Sequence, residues 1–224
     1  MIEQLLNQLL DIYKQKRHVE ETLKVGFEIL PEKEMWYLLV SPGDPLFLTQ
    51  EPEFNPQIIF SCHFDTLSDI CAHKMTGLTA MGRENISDET PLNYRLGPNQ
   101  KMDLTLLAQG LEFVQRFFNP TYPEEIDLDK SKSRQVHGAW AVPMFYHPGF
   151  RSAWYWVEKG QSLNKPGDTN PFPQAFVFIS GQGYAKIGEL IQEVKVNEAY
   201  YIPPHTDHIV WTEDEAPLEL IFLA

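Results

Sequence analysis

A chain of 224 residues with 43% hydrophobic and 12% aromatic residues is long enough for one or two domains, each with its own core. The formal net charge of −13 at neutral pH argues against nucleic-acid or anionic-membrane partners, which draw much of their affinity from lysines and arginines. No apolar run is long enough to cross a bilayer and the N-terminus lacks the pattern of a secretory signal, so a cytoplasmic protein without a membrane span is expected.

Ile2, Leu5, Leu6, Leu9, Leu10 and Tyr13 recur at the spacing of one helical face, which predicts an amphipathic helix over 2–23 packed on a core. Beyond Gly26, short apolar runs at 27–30, 35–40, 45–49 and 58–62 are separated by turn residues and predict a β-meander. Asp65, Thr66 and Ser68 offer an N-cap near Leu67, Ile70 and Cys71, and Gly77 offers a stop, predicting a helix over 65–75. A short helix over 78–82, a strand over 91–96 and an amphipathic helix over 102–118 follow. Cys62 and Cys71 form no CxxC pair and read as buried free thiols.

The stretch 119–135 holds Pro120 and Pro123 and is mostly charged from Glu124 to Arg134, with little to bury. The expected organisation is therefore an α+β domain over 1–119, a linker over 120–135 and an all-β domain over 136–224. In the last of these, strand-like runs at 139–146, 153–157, 175–179, 184–187, 199–202, 208–212 and 218–223 predict a sandwich or small barrel.

The run Phe176-Val177-Phe178-Ile179-Ser180-Gly181-Gln182-Gly183, followed by the segment from Glu198 through Ile202-Pro203-Pro204-His205 to His208, resembles the two motifs of the cupin superfamily in order and spacing. The resemblance implies an RmlC-like jelly-roll β-barrel whose first motif supplies two His and a Glu, and whose second supplies one His, to a divalent metal. Carried over by position, the second-motif ligand falls on His208, the Glu position on Gln174 and the two His positions on Asp168 and Asn170. Zinc, iron and nickel favour several nitrogen or sulfur ligands, so no cofactor is certain and at most a weakly held divalent metal is expected on His208, Asp168 and Gln174. The tryptophan-rich stretch 138–157 offers more apolar surface than one small barrel needs, which points to a homodimer. Trp140, Trp154, Trp156 and Trp211, with Phe145, Tyr155 and Phe176, give this half an aromatic interior, most of it core, and with His208 are candidates to line a small-molecule pocket.

The order of the first half, an opening helix, a meander, the strand at 58–62 feeding a helix and a closing leucine-rich helix, resembles the sterol carrier protein 2 family. That resemblance implies an apolar tunnel for acyl chains or sterols beside 65–82, with Ile70, Met75 and Met81 among its lining. Ordinary helix-on-sheet packing needs the same apolar face.

No GxSxG, HExxH or phosphate-cradling glycine loop occurs, so the sequence names no reaction. Three functions remain open. One is a small-molecule or lipid binding protein with a degenerate cupin domain, taking a small apolar or polar ligand. Another is a metal-dependent cupin enzyme of isomerase or dioxygenase type using His208. The third is a structural protein dimerising through its cupin half.

Overall fold

A computed structural model describes residues 1–17, 21–51, 54–85, 87–101 and 103–224. The chain divides into two compact units, Met1–Met81 with Glu89–Ile126, and Gly82–Asp88 with Asp127–Ala224. No helix among the described residues is long and apolar enough to cross a membrane.

In the first unit α1 (Ile2–Lys16) buries Leu6, Leu9, Leu10 and Tyr13, four of the six residues of the predicted stripe, while Ile2 and Leu5 are half-buried. Leu23 does not close that helix but opens β1 (Leu23–Leu30), since its alternate side chains are needed for the sheet face. Residues 18–20, part of the expected helix, lie outside the described residues, as does Met102. With β2 (Glu34–Val40), β3 (Leu48–Thr49), β4 (Ile58–His63) and β5 (Leu92–Leu96), β1 builds a five-stranded sheet of order β3-β2-β1-β4-β5. The expected meander is broken at β4. This strand pairs parallel with β1, placing Phe60 beside Phe27, and a parallel pair requires a crossover that no hairpin can supply.

The chain then forms α2 (Phe64–Cys71), shorter than expected because His73 takes a left-handed φ of 59° and ends the turn before Met75. Gly77, read from sequence as a stop, instead opens α3 (Gly77–Met81), where a larger side chain would collide with Phe118. The last helix of the unit, α4 (Leu104–Phe117), is capped by Asp103, whose carboxylate accepts the Thr105 N–H at 2.8 Å. Phe113 of α4 stacks on Phe60 of β4 at 5.7 Å, and Phe117 on Phe27 of β1 at 4.9 Å, so the core lies between α4 and one sheet face. The α+β class is as expected, while nothing in this packing establishes a sterol carrier protein 2 likeness.

The second unit contains β6 (Arg134–Val136), β7 (Ala139–His147), β8 (Phe150–Val157), β9 (Ser162–Leu163) and β10 (Gln174–Ser180). These are followed by β11 (Tyr184–Ile187), β12 (Leu190–Glu193), β13 (Ala199–Ile202), β14 (His208–Trp211) and β15 (Leu218–Leu223). Their antiparallel pairing is nested: β11 with β12, β10 with β13, β9 with β14 and β8 with β15. One long hairpin has therefore been folded over on itself, and the further pairs β10 with β15 and β11 with β14 stitch the folded ribbon together. This is jelly-roll connectivity.

Two corrections to the sequence expectation follow. The hydrogen-bonded sheets, β13-β10-β15-β8-β7-β6 and β12-β11-β14-β9, are separate, so the all-β unit is a two-sheet β fold and not a closed barrel. Its edge strands are short, β9 having two residues and β13 four, and neither pairs across to the other sheet. In addition, Arg134 and Gln135, expected within the linker, lie in β6 and pair with Ala141 and Trp140 of β7. Trp154 is fully buried in the chain, and the half-buried Trp140 and Trp156 both donate to Glu158.

Candidate functional site

Strand alternation sets what faces the space between the two sheets. On β10 the inward residues are Gln174, Phe176 and Phe178; opposite them on β15 stand Phe222 and Leu220. His208 and Val210 are the buried positions of β14. His208 is 1% exposed, its Nδ1 lies 2.8 Å from the carbonyl oxygen of Thr206, and its ring packs 5.7 Å from Phe176. With Nδ1–H donated to that carbonyl, one imidazole nitrogen is left for any other partner.

The other positions carried over from the cupin motif are placed as follows. Gln174, 4% exposed, faces the interior one alternation step from Phe176. Asp168 lies in the turn after β9, where its carboxylate accepts the Lys165 N–H at 3.1 Å. Asn170 accepts the His205 N–H on its backbone carbonyl at 2.6 Å. Among the described residues no three His, Cys, Asp or Glu side chains converge. One imidazole nitrogen and an amide do not fit the donor set of a transition metal.

In the first unit Ile70 is fully buried in α2, and Met75 is half-buried just after it. Met81 borders a small apolar cavity with Ile58, Phe60, Tyr94, Leu107 and Leu111. That cavity has room for about one water molecule. Neither Ile70 nor Met75 lines it.

A pocket of about 300 Å³ opens in the second unit, bordered by Tyr146, His147, Phe150, Arg151, Phe172 and Pro173. Arg151 comes to it through the alternation of β8, which puts Arg151, Ala153, Tyr155 and Val157 on one face, and Tyr146 stands opposite Arg151 in the register of β7. The end of the strand is fixed by a reciprocal pair of backbone hydrogen bonds between Arg151 and Ala224, at 2.7 and 3.0 Å. The guanidinium carbon lies 4.6 Å from the ring centre of Phe172 and 5.8 Å from that of Phe222.

Arg151 is an exposed residue of β8 at the rim of the pocket; the groups packed around its guanidinium lower its pKa from the ordinary value, while Tyr155 and Tyr146 act in the opposite sense. A guanidinium stays charged under such a shift. No Asp or Glu lines the pocket. Inward of Arg151, Phe222 packs on Tyr155 at 6.4 Å and on Phe176 at 6.3 Å, and Phe176 meets His208. A run of aromatic rings thus fills the space between the pocket and the histidine at which the cupin resemblance centres.

Sequence reasoning missed Arg151 because the strand was read as starting at Ala153. Extending the period-two pattern of Val157, Tyr155 and Ala153 by one step reaches an arginine on an otherwise apolar face, which is the available signal.

No protein-family model and no curated protein matches the chain. Among solved structures it is similar to a cupin 2 conserved barrel domain protein from Salinispora arenicola, at 16% identity and a TM-score of 0.40 over 45% of this chain and 86% of that one. It is also similar to an RmlC-like cupin from Shewanella frigidimarina, at 15% identity and a TM-score of 0.37 over 41% and 78% of the two chains. A predicted oxalate decarboxylase from Thermotoga maritima is similar at 12% identity, with a TM-score of 0.36 over 38% and 77%.

Proposed function

We propose that the second unit is a small-molecule binding module whose ligand occupies the pocket at Arg151 and not the position of His208. The observation that carries this is the exchange of filled and open space. Phe176 packs on His208 and Phe222 packs on Phe176, while a concave pocket at the lower end of the usual ligand-site range stands open next to Arg151, with no Asp or Glu side chain in its lining. The pocket has apolar walls and a small number of polar groups, the usual composition of a site that binds and orients a small ligand. No reaction is assigned to it.

The test is a fragment screen on isotopically labelled full-length protein, read by amide and side-chain chemical shifts. Binders should perturb Tyr146, Phe150, Arg151 and Phe172 together. Perturbations centred on His208 and Val210, or confined to the first unit, would sink this reading.

A further inference from the structure

We infer that the pocket selects an organic anion, a carboxylate or phosphate group joined to an apolar body, with Arg151 as the residue that binds the anionic group. This rests on the ligand position proposed above. The guanidinium carbon lies over two aromatic rings, Phe172 at 4.6 Å and Phe222 at 5.8 Å. Contact with ring faces uses the flat faces of a guanidinium and leaves its edge N–H groups as donors, in the fork geometry that matches a carboxylate or phosphate.

The rest of the pocket supports the same ligand class. Phe150, Phe172 and Pro173 supply apolar wall for the body of the ligand, Ala224 borders the pocket where it is hydrogen-bonded to the Arg151 backbone, and the lining holds no Asp or Glu side chain. The net charge of −13 opposes the approach of any anion. Charges farther than a Debye length, about 8 Å at physiological salt, are largely screened, whereas a guanidinium in direct contact is not. The local cation therefore decides which ligand is held, while the diffuse charge slows its arrival.

Four probes of similar shape and different charge test the inference: benzoate, phenyl phosphate, benzamide and benzylamine, each titrated calorimetrically into the full-length protein. At least one of the two anions should bind ten-fold or more tightly than benzamide, and benzylamine should bind least. The order of benzoate and phenyl phosphate tells which anionic group the fork prefers. In Arg151→Met, which keeps a long side chain beside the two rings, the advantage of the anion over benzamide should vanish, with Arg151→Lys falling between. Benzamide binding as tightly as the anions would overturn the choice of ligand class and leave the pocket as the binding site. Four probes that all fail to bind would overturn both readings. Should Arg151→Met not fold, the ranking of the four probes on the unaltered protein still decides the matter.

Discussion

The imidazole of His208 is tied to the backbone of its own turn, with Nδ1 2.8 Å from the carbonyl oxygen of Thr206, and its ring packs 5.7 Å from that of Phe176. The side chain therefore works as a packed core group. His208→Ala removes a side chain that is 1% exposed and leaves the Thr206 carbonyl without its donor, for an expected loss of about 2 kcal/mol. His208→Phe keeps the volume and loses the hydrogen bond, so it should lose less. Urea unfolding midpoints measure both, and an unchanged midpoint for His208→Ala would contradict the packed role.

The hairpin between β6 and β7 turns on His137 and Gly138, with φ of 55° and 83°, the signature of a two-residue turn that needs positive φ at both positions. A Cβ added at Gly138 would also run into the carbonyl oxygen of Ser162 on β9. Gly138→Ala should cost about 2 kcal/mol or more, because conformational strain and a backbone collision act together. Gly138→Asn, which suits the φ but meets the same oxygen, should rescue little. Full rescue by Asn, measured by thermal unfolding, would show that the collision does not matter.

What could be read from the sequence followed the length of each local pattern. The six-residue stripe of α1 and the alternation of β10 and β15 each run through enough repeats to be read without tertiary information. Strand β9, with two residues, and β6, with three, carry too little alternation to register. The parallel pairing of β1 with β4 is not written in either strand, since it depends on where a crossover returns the chain. At the candidate site, motif positions pointed to His208 and Gln174, both of which face the interior. They could not show that Phe176 and Phe222 fill the space around them, because that depends on how two sheets meet.

Cys62 and Cys71 are both buried free thiols, and Cys71 Sγ lies 3.6 Å from the carbonyl oxygen of Leu5. Burial pushes the Cys62 thiol up to about 12 and the Cys71 thiol up to about 11, from an ordinary value of 9.0. A thiol whose pKa rises on folding favours the folded state fully below its unfolded value, and that contribution is lost as pH climbs through the folded value. Stability should therefore fall between about pH 9 and about pH 12, and Cys62→Ala with Cys71→Ala should flatten that slope. At pH 8 iodoacetamide should label the native protein far more slowly than the urea-unfolded chain. Equal labelling rates would mean that the thiols are not shielded.

Glu21 and Arg116 form an ion pair at 2.9 Å in the first unit, with side chains 11% and 9% exposed, and Arg116 Nε also donates to the Glu112 carbonyl at 3.2 Å. Removing one partner strands the other charge in a poorly hydrated place, so Glu21→Leu alone should lose about 3 kcal/mol or more. Among the described residues Glu21 Oε2, Arg116 Nη1 and the Tyr13 hydroxyl make no hydrogen bond of good geometry, although burial and the neighbouring Glu21 carboxylate raise the Tyr13 pKa. The desolvation cost of the pair is then only partly offset, and replacing both members by apolar groups removes that cost altogether. The double variant Glu21→Leu with Arg116→Met should recover most of the stability lost by Glu21→Leu, giving a coupling energy above about 2 kcal/mol in a double-mutant cycle by chemical unfolding. A double variant no more stable than the sum of its two single losses would show that the charges act independently. The burial of the pair would then have to be explained by contacts other than the one between them.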